Sequence, residues 1–434
     1  MEKQIRLLKI LIFDFFLLLA LSGAAQTDTL PVFKGATKAN REKTYNYIIK
    51  NAITKNLSSP LSDSAEEDWE EAFNAMELIH YKQPWVSEKI KQAFSSIKKR
   101  SAGFQRSLLE LCYVNYPTEF KQEVLQFLGN ADKAKNFAMG VEYLKQSDKT
   151  NGIALMDICI AKMPVIKTID SSEKSKPVFD AMLNRGKTNA EKYPAKKIKE
   201  LFKIDFLPFN TIVYSIQRKN RNSPGIVIVR GKEGNFIKED SGNILSVPQL
   251  ARSITNLPGY LTNGNTPQGI FRMYGFDVSK SPALGPTQNI QLTMPFETTV
   301  QHFLKDSSVT DTSWTLALYQ KLLPKSLKDF SPLYETFYAS QAGRTEIISH
   351  GTTVDPEYYK GQPYYPYTPT EGCLCTKEIW SDKNGTRLIS DQQKLVNAVK
   401  RAGGADGYFI VIEIDDQQKP VSINDILPYI KPTQ

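Results

Sequence analysis

The chain has 434 residues, of which 41% are hydrophobic and 23% are charged. This balance is typical of a globular protein with two or three domains, and it excludes a disordered, collagen-like or multi-span membrane protein. The 55 basic and 46 acidic residues give a net charge of +9, which favours anionic partners. Four cysteines, at positions 112, 159, 373 and 375, are too few and too scattered for a disulfide scaffold or a structural zinc cluster.

Residues 1–25 have the pattern of a secretory signal peptide. A basic start precedes an apolar run from Ile10 to Leu21, and small residues end the segment before Gln26. The apolar run is shorter than the roughly 20 residues that a membrane-spanning helix needs. We therefore expect cleavage and a soluble mature protein that is periplasmic or secreted. An uncleaved segment would instead anchor the chain to the membrane.

Residues 26–205 are predicted to form a helical domain, because apolar residues recur there at helical spacing. The segment from Ser64 to Glu67 has the pattern of a capping box at a helix start. Three apolar stripes are predicted to face the core: Trp69, Ala72, Phe73, Met76 and His80; Val86, Ile90, Ala93, Phe94 and Ile97; and Phe120, Val124, Phe127 and Leu128.

A weak internal repeat runs through this helical domain. Glu77-Leu78, Glu110-Leu111 and Asp157-Ile158 are each followed by a proline six or seven residues later, which is expected to end a helix. Irregular HEAT-like stacking of helix pairs would produce this pattern. We interpret the domain as a scaffold or docking module that could hold a protein partner. Cys112, Cys159 and His80 are interpreted as buried packing residues.

Residues 206–434 are predicted to form a second, mostly β domain, so the fold class is α+β and multidomain. The strands are predicted at 211–216, 226–229, 289–293 and 407–415. A helix is predicted at 391–401, ended by Gly403 and Gly404, and a helical insertion at 314–323.

A histidine and a cysteine of this domain have unusual neighbours. Ser349-His350-Gly351 is followed, after a loop rich in tyrosine and proline, by Thr370-Glu371-Gly372-Cys373-Leu374-Cys375. A cysteine thiolate is a nucleophile, and an imidazole can take the proton of its thiol. The glycine before Cys373 would let a substrate carbonyl approach and leave backbone N–H groups to face an oxyanion. These residue types predict a nucleophilic cysteine, provided that the fold brings them together.

Other interpretations of the same residues stay open. Cys373 and Cys375 could be two small residues on a strand, or Cys375 could be a redox partner of Cys373. Zinc held by both cysteines with His350 and Glu371 lacks a recognised ligand spacing, so no metal or other cofactor is expected. His302 is the other candidate base of the second domain. No nucleic-acid motif accompanies the positive charge, and no nucleic acid is expected as a partner.

The constellation resembles the catalytic domain of L,D-transpeptidases (YkuD type). The signature of that family is His-Gly, a loop, and then Ser/Thr-His-Gly-Cys; His350-Gly351 and Thr370-Glu371-Gly372-Cys373-Leu374 match it in order. A second family segment, Thr-Pro-x-Gly-x-Phe/Tyr, is matched by Thr266-Pro267-Gln268-Gly269-Ile270-Phe271. The resemblance covers roughly residues 206–415. It departs from the family at Glu371, which replaces a histidine, and at Cys375, which replaces an arginine or asparagine.

This resemblance implies a peptidoglycan L,D-transpeptidase. Cys373 would attack the peptide bond before the terminal D-Ala of a tetrapeptide stem, with His350 as general base and then acid. Backbone N–H groups of Gly372, Cys373 and Leu374 would hold the oxyanion. The acyl group would pass to the amine of a neighbouring stem, giving a 3→3 cross-link, or to water, as in an L,D-carboxypeptidase. The expected substrate-binding residues are Gly351, Tyr365, Tyr367, Thr266 and Gly269.

Two other functions compete with this one. The same fold could carry a decayed site in a wall-binding or scaffold protein, since Glu371 would raise the pKa of the nearby thiol. A different secreted cysteine hydrolase, such as a peptidase or an amidase, is the other alternative. In many of those enzymes the cysteine precedes the histidine, whereas here His350 comes first.

Overall fold

The computed structural model describes residues 30–147, 152–170, 172, 174–188 and 198–430. The expected signal peptide, residues 1–25, lies outside this described part. Within it the chain is α+β, with helices up to residue 188 and a large, mostly β portion from residue 211 onwards. None of the helices in the described part is long and apolar enough to cross a bilayer.

The helical part is built from short helices whose apolar faces are buried together. Its members are α1 (Lys38–Tyr47), α2 (Glu66–Leu78), α3 (Pro84–Ser96), α4 (Ala102–Asn115), α5 (Lys121–Asn130), α6 (Ala134–Ser147), α7 (Gly152–Ile169) and α8 (Ser175–Thr188). A π-helical stretch, Ile48–Lys55, continues α1. The three predicted stripes are buried in one core, apart from His80, and Cys112 and Cys159 are buried as predicted.

Three local predictions in this part are wrong. Ser64 does not cap α2, because it lies in a 3₁₀ turn before the helix and its hydroxyl pairs with Ser62. Pro164 does not end a helix, because α7 continues beyond it and Ile166, two residues later, is fully buried. His80 is not a core side chain of α2: the helix ends at Leu78, and His80 takes a left-handed φ of 49°.

The strands form one large sheet and a separate hairpin. The sheet has the order β3 (Val247–Gln249), β2 (Gly225–Arg230), β1 (Thr211–Gln217), β10 (Gly407–Glu413), β4 (Gly269–Asp277), β5 (Asn289–Thr293), β6 (Ile348–His350) and β7 (Leu374–Cys375). The hairpin pairs β8 (Glu378–Trp380) with β9 (Arg387–Ser390). The four strands predicted from the sequence, β1, β2, β5 and β10, are confirmed. The pairs β1–β10 and β6–β7 are parallel.

The two edges of the large sheet meet. Leu250, directly after β3, exchanges both backbone hydrogen bonds with Cys375 of β7, each at 2.8 Å. A little further along, the N–H of Ile254 donates to the carbonyl of Thr370 at 2.7 Å. The sheet therefore closes on itself, and its closing seam contains the segment that leads into Cys373.

Both faces of the sheet are covered, which explains the continuous apolar runs in β1, β2 and β10. One face packs on α12 (Asp391–Arg401), with Phe271 and Phe409 against Leu395. The other face packs on α10 (Leu316–Gln320) and α11 (Glu335–Gln341). The bounds of α12 are as predicted, whereas the predicted insertion at 314–323 has a helix of only five residues, α10. Two further helices are α9 (Val300–Leu304) and α13 (Ile423–Ile430).

The helical and β parts share apolar packing. Five residues from the second part belong to the helical core: Leu257, Tyr260, Leu261, Ala339 and Ala342. Polar contacts border this packing, including the Lys135 Nζ to Gly343 carbonyl bond at 3.2 Å and the Tyr260 hydroxyl to Glu142 bond at 3.3 Å. The second part therefore depends on the first for part of its burial.

We expect the two parts to unfold together. Leu261→Ala removes a fully buried side chain from the shared core, which should cost about 2–5 kcal/mol of unfolding free energy. In calorimetry a single transition should move to lower temperature. Leu388→Ala is the matched control, because Leu388 is 59% exposed and should be nearly neutral. Two transitions, of which only one moves, would show independent domains.

Candidate active site

The parallel pairing of β6 with β7 brings the predicted nucleophile and base to the same region. The register pairs Ser349 with Leu374 and His350 with Cys375. Cys373 directly precedes β7, and its Sγ lies against the backbone N–H of Ile348, two residues before His350. With ordinary strand spacings, the Cα atoms of His350 and Cys373 are about 8 Å apart.

Cys373 is the partly exposed cysteine, whereas Cys112, Cys159 and Cys375 are buried. Its Sγ accepts a hydrogen bond from the N–H of Ile348 at 3.5 Å and donates to the carbonyl of Glu346 at 3.6 Å. In the part of the chain that the structure describes, no hydrogen bond joins this Sγ to the imidazole of His350. Desolvation raises the pKa of the Cys373 thiol to about 11. At neutral pH the side chain is therefore a thiol.

His350 is held as a neutral imidazole. It is 4% exposed, and its Nδ1 is within hydrogen-bonding distance of the carbonyl of Gly351. Because a carbonyl only accepts, Nδ1 must carry the proton, and Nε2 keeps a free lone pair. Burial lowers the pKa of His350 to about 4. This protonation state is the one that a general base needs.

A buried polar network fixes the backbone of β6. The carbonyl of His350 accepts from the N–H of Thr376 at 2.9 Å and lies 3.2 Å from its hydroxyl oxygen. Gln392 of α12 accepts from that hydroxyl at 3.0 Å and donates to the carbonyl of Ser349 at 3.0 Å. Thr376 and Gln392 are fully buried, so the network is shielded from water and holds His350 in place.

The loop before Cys373 is a tight turn that only glycine permits at position 372. Gly372 has a φ of +113°, and a Cβ there would lie 1.8 Å from the guanidinium of Arg344. The Thr370 hydroxyl accepts from the N–H of Gly372 at 3.0 Å and donates to the carbonyl of Cys373 at 2.9 Å. Thr266, from the upstream motif, donates to the carbonyl of Gly372 at 2.8 Å. The structure thus brings the two motifs into direct contact.

Arg344 is a residue of the site that the sequence reasoning missed. Its buried guanidinium donates to three carbonyls: Leu261 at 2.8 Å, Gly264 at 3.0 Å and Glu371 at 2.7 Å. Its positive charge lowers the pKa of Cys373, although less than burial raises it. In the sequence Arg344 is only a basic residue six positions before His350. Nothing local distinguishes it from an arginine on the surface.

Two carboxylates of the helical part also border the site. Glu110 of α4 is 2% exposed, and both its oxygens accept from the amide of Asn263 at 3.2 Å. Glu77 of α2 is 7% exposed. Burial raises the pKa of Glu110 to about 7 and raises that of Glu77 well above its ordinary value, with further increases from neighbouring carboxylates, including Glu371. The sequence pattern had marked Glu77 and Glu110 only as repeat positions.

The two other predicted glycines lie where a side chain would clash with neighbouring residues. A Cβ on Gly351 would lie 2.4 Å from the carboxyl carbon of Glu378. Gly269 has a φ of +127°, and its Cβ would lie 2.3 Å from the hydroxyl of Thr336. Glycine at these two positions therefore permits the packing around β4 and β6.

The tyrosine-rich loop is divided between two environments. Tyr359 and Tyr364 are buried, and the hydroxyl of Tyr364 bonds the ring of His80 at 2.9 Å. Tyr365 and Tyr367 border a cleft of about 260 Å³ whose lining does not include Cys373 or His350. His302, the other candidate base, is exposed on α9.

Comparison with family models, curated proteins and solved structures finds no significant match to this chain. The functional argument therefore depends on the motif residues and their geometry. Within the described ranges, no three His, Cys, Asp or Glu side chains converge as they would around a metal ion.

The pKa of Cys373 can be tested by alkylation. Because the thiolate is a minor species below a pKa of about 11, the rate with iodoacetamide should rise about tenfold per pH unit between pH 7 and 10. Mass spectrometry of the intact chain follows the reaction, and Cys373→Ser gives the background from the buried cysteines. A rate that is already constant below pH 8 would instead indicate a preformed thiolate–imidazolium pair.

The charge on Glu77 should cost stability at neutral pH. Its pKa is higher in the folded chain than in the unfolded chain, so stability falls as pH rises above the ordinary glutamate pKa. Glu77→Gln should therefore raise Tm at pH 8, by about 2 °C or more, and change it little at pH 4. Glu67→Gln, at an exposed position of the same helix, is the control. A lower Tm for Glu77→Gln at pH 8 would show that the carboxylate makes a stabilising contact.

Proposed function

We propose that the protein is a peptidoglycan L,D-transpeptidase with a cysteine nucleophile, acting on stem peptides in the periplasm or outside the cell. One observation carries the proposal: Cys373 directly precedes β7, the parallel neighbour of the strand that ends at His350, and Nδ1 of the neutral imidazole is held by the carbonyl of Gly351. The contact of Thr266 with Gly372 adds support, because it joins the two motifs that resemble the family.

Acylation would begin from the neutral thiol and the neutral imidazole. Rotation of the Cys373 side chain away from Glu346 would bring Sγ towards Nε2 of His350, a contact that often forms only in the substrate complex. His350 then takes the thiol proton while sulfur bonds to the carbonyl carbon of the stem peptide. The tetrahedral intermediate collapses, the C–N bond breaks, and His350 returns the proton to the departing D-Ala amine.

The oxyanion of that intermediate needs donors close to Cys373. The N–H of Gly372 is occupied by the hydroxyl of Thr370, so the N–H of Cys373 is the amide that we assign to this role. Arg344 would act by holding the loop in place, because its N–H donors are already bonded to three carbonyls.

The proposal also assigns the two parts of the chain to two domains. Residues 206–434 would form an L,D-transpeptidase-like domain, and residues 26–205 a HEAT-like domain that borders its site and could bind a protein partner. The thioester would be resolved by an amine of a second stem or by water. Neither step requires a metal or another cofactor.

One specific observation favours a second candidate, a wall-binding protein with a decayed site. The thiol of Cys373 bonds to the carbonyl of Glu346 rather than to His350, and its pKa is raised to about 11. A site in this state would keep its shape without forming an acyl-enzyme.

The first test is acylation by a carbapenem, which reacts with the nucleophile of this family. The mature chain should gain one adduct in intact-protein mass spectrometry, and Cys373→Ala should gain none. His350→Gln should slow adduct formation by about 10²-fold or more, because the general base is lost. His302→Ala is the matched control and should react like the wild type. A folded wild-type chain that forms neither this adduct nor a thioester with muropeptides would favour the decayed site.

A further inference from the structure

Building on the transpeptidase activity proposed above, we propose that Glu77 and Glu110 of the helical part and Glu371 of the nucleophile loop form an ammonium-binding subsite for the acyl acceptor. The helical part would then supply substrate-binding groups as well as a scaffold. The ligand class is a primary ammonium on a flexible side chain, such as that of a second stem peptide.

Direct contacts connect Glu110 to the nucleophile loop. Its carboxylate accepts from the amide of Asn263, with both oxygens at 3.2 Å. The carbonyl of the next residue, Gly264, lies so close to Gly372 that a Cβ there would be 2.3 Å from it. Since Gly372 precedes Cys373, Glu110 borders the position where an acyl-enzyme would form.

The three carboxylates of the subsite carry more negative charge than the nearby cationic side chains neutralise. Glu110 lies 4.0 Å from Arg106, whereas the guanidinium of Arg344 is already bound to three carbonyls. In the described part of the chain, no hydrogen bond or ion pair reaches the carboxylates of Glu77 and Glu371. Glu77 is 7% exposed, and a carboxylate that is so nearly buried without an ion-pair partner is stabilised by a nearby cation.

A second, independent observation comes from the tyrosine-rich loop. Tyr359 is fully buried, and its hydroxyl has no hydrogen-bond partner among the described residues. Its ring packs edge-on against His80, 5.6 Å between centroids, next to the end of α2 that contributes Glu77. The charge of Glu77 also helps to raise the pKa of Tyr359. A fully buried hydroxyl without a partner, within reach of the charge of Glu77, is expected of a polar site that takes a ligand.

An ammonium group fits this site better than a metal ion does. The three carboxylates come from separate segments and, within the described ranges, do not converge at metal-ligand spacing. An ammonium has three donors and can bond to carboxylates and to a phenol oxygen at hydrogen-bond distances. Carboxylates of raised pKa are also suited to accept a proton near neutral pH.

The proposed transfer step is balanced. The bound ammonium gives one proton to a carboxylate and becomes a free amine. Its nitrogen attacks the carbonyl carbon of the Cys373 thioester, a C–N bond forms, and the C–S bond breaks. The second amine proton passes to His350 and from there to the Cys373 sulfur, which restores the thiol. The protonated carboxyl releases its proton to solvent.

The test compares two acceptors on the full-length mature chain. A tetrapeptide muropeptide is the acyl donor, and either Nα-acetyl-lysine, whose side chain is cationic, or uncharged hydroxylamine is the acceptor. Mass spectrometry measures both transfer products, and the readout is the ratio of the two values of kcat/KM. Because acylation is common to both reactions, this ratio reports on the acceptor alone.

We expect Glu77→Gln and Glu371→Gln to lower the acetyl-lysine to hydroxylamine ratio at least tenfold, mainly through KM for acetyl-lysine. Glu67→Gln, on the exposed side of α2, should leave the ratio unchanged. Glu371 is exposed, so its variant tests the subsite without a change in the helical core.

Three outcomes would overturn the inference, one of them together with the transpeptidase proposal. A wild-type chain that forms no acyl-enzyme with the donor would reject the transpeptidase proposal and the subsite with it. A wild-type chain that forms the acyl-enzyme, but whose ratio changes less than twofold in both variants, would reject only the subsite. Transfer to water and hydroxylamine but never to acetyl-lysine would also reject it.

Discussion

The parallel pairing of β6 with β7, closed on its other side by Leu250, is the constraint on which the rest of the site depends. β7 is only two residues long, so its position requires partners on both edges. That position sets the register of Cys375 against His350 and therefore places Cys373 two residues further back. The sheet closure and the Thr370 turn then leave Cys373 as the partly exposed cysteine.

Burial determines the charge state of this site. A thiol with a pKa of about 11 and an imidazole with a pKa of about 4 do not form an ion pair at neutral pH. In the proposed reaction, proton transfer would therefore accompany nucleophilic attack rather than precede it. The network of Thr376 and Gln392 suits this chemistry, because it keeps the imidazole oriented while its Nε2 remains unprotonated.

The helical part affects both the stability of the protein and its site. Its core includes residues of the second part, such as Leu261, and the carbonyl of Leu261 holds Arg344 beneath the nucleophile loop. The same packing buries Glu77 and Glu110, which costs free energy at neutral pH. Charged groups that reduce stability are typical of functional sites rather than of structural cores.

The sequence by itself determined the division into helical and β parts, the apolar stripes of α2, α3 and α5, and the strands β1, β2, β5 and β10. These features follow from local periodicity, which is visible in the sequence without knowing which segments pack together. It also marked Cys373, His350, Gly372 and Thr266 as candidate site residues, because each of their motifs is contiguous in the sequence. Only the tertiary structure placed Arg344, Glu77, Glu110 and Thr376 around them. Those residues come from distant segments, and their roles arise from burial and hydrogen bonds that no local pattern records.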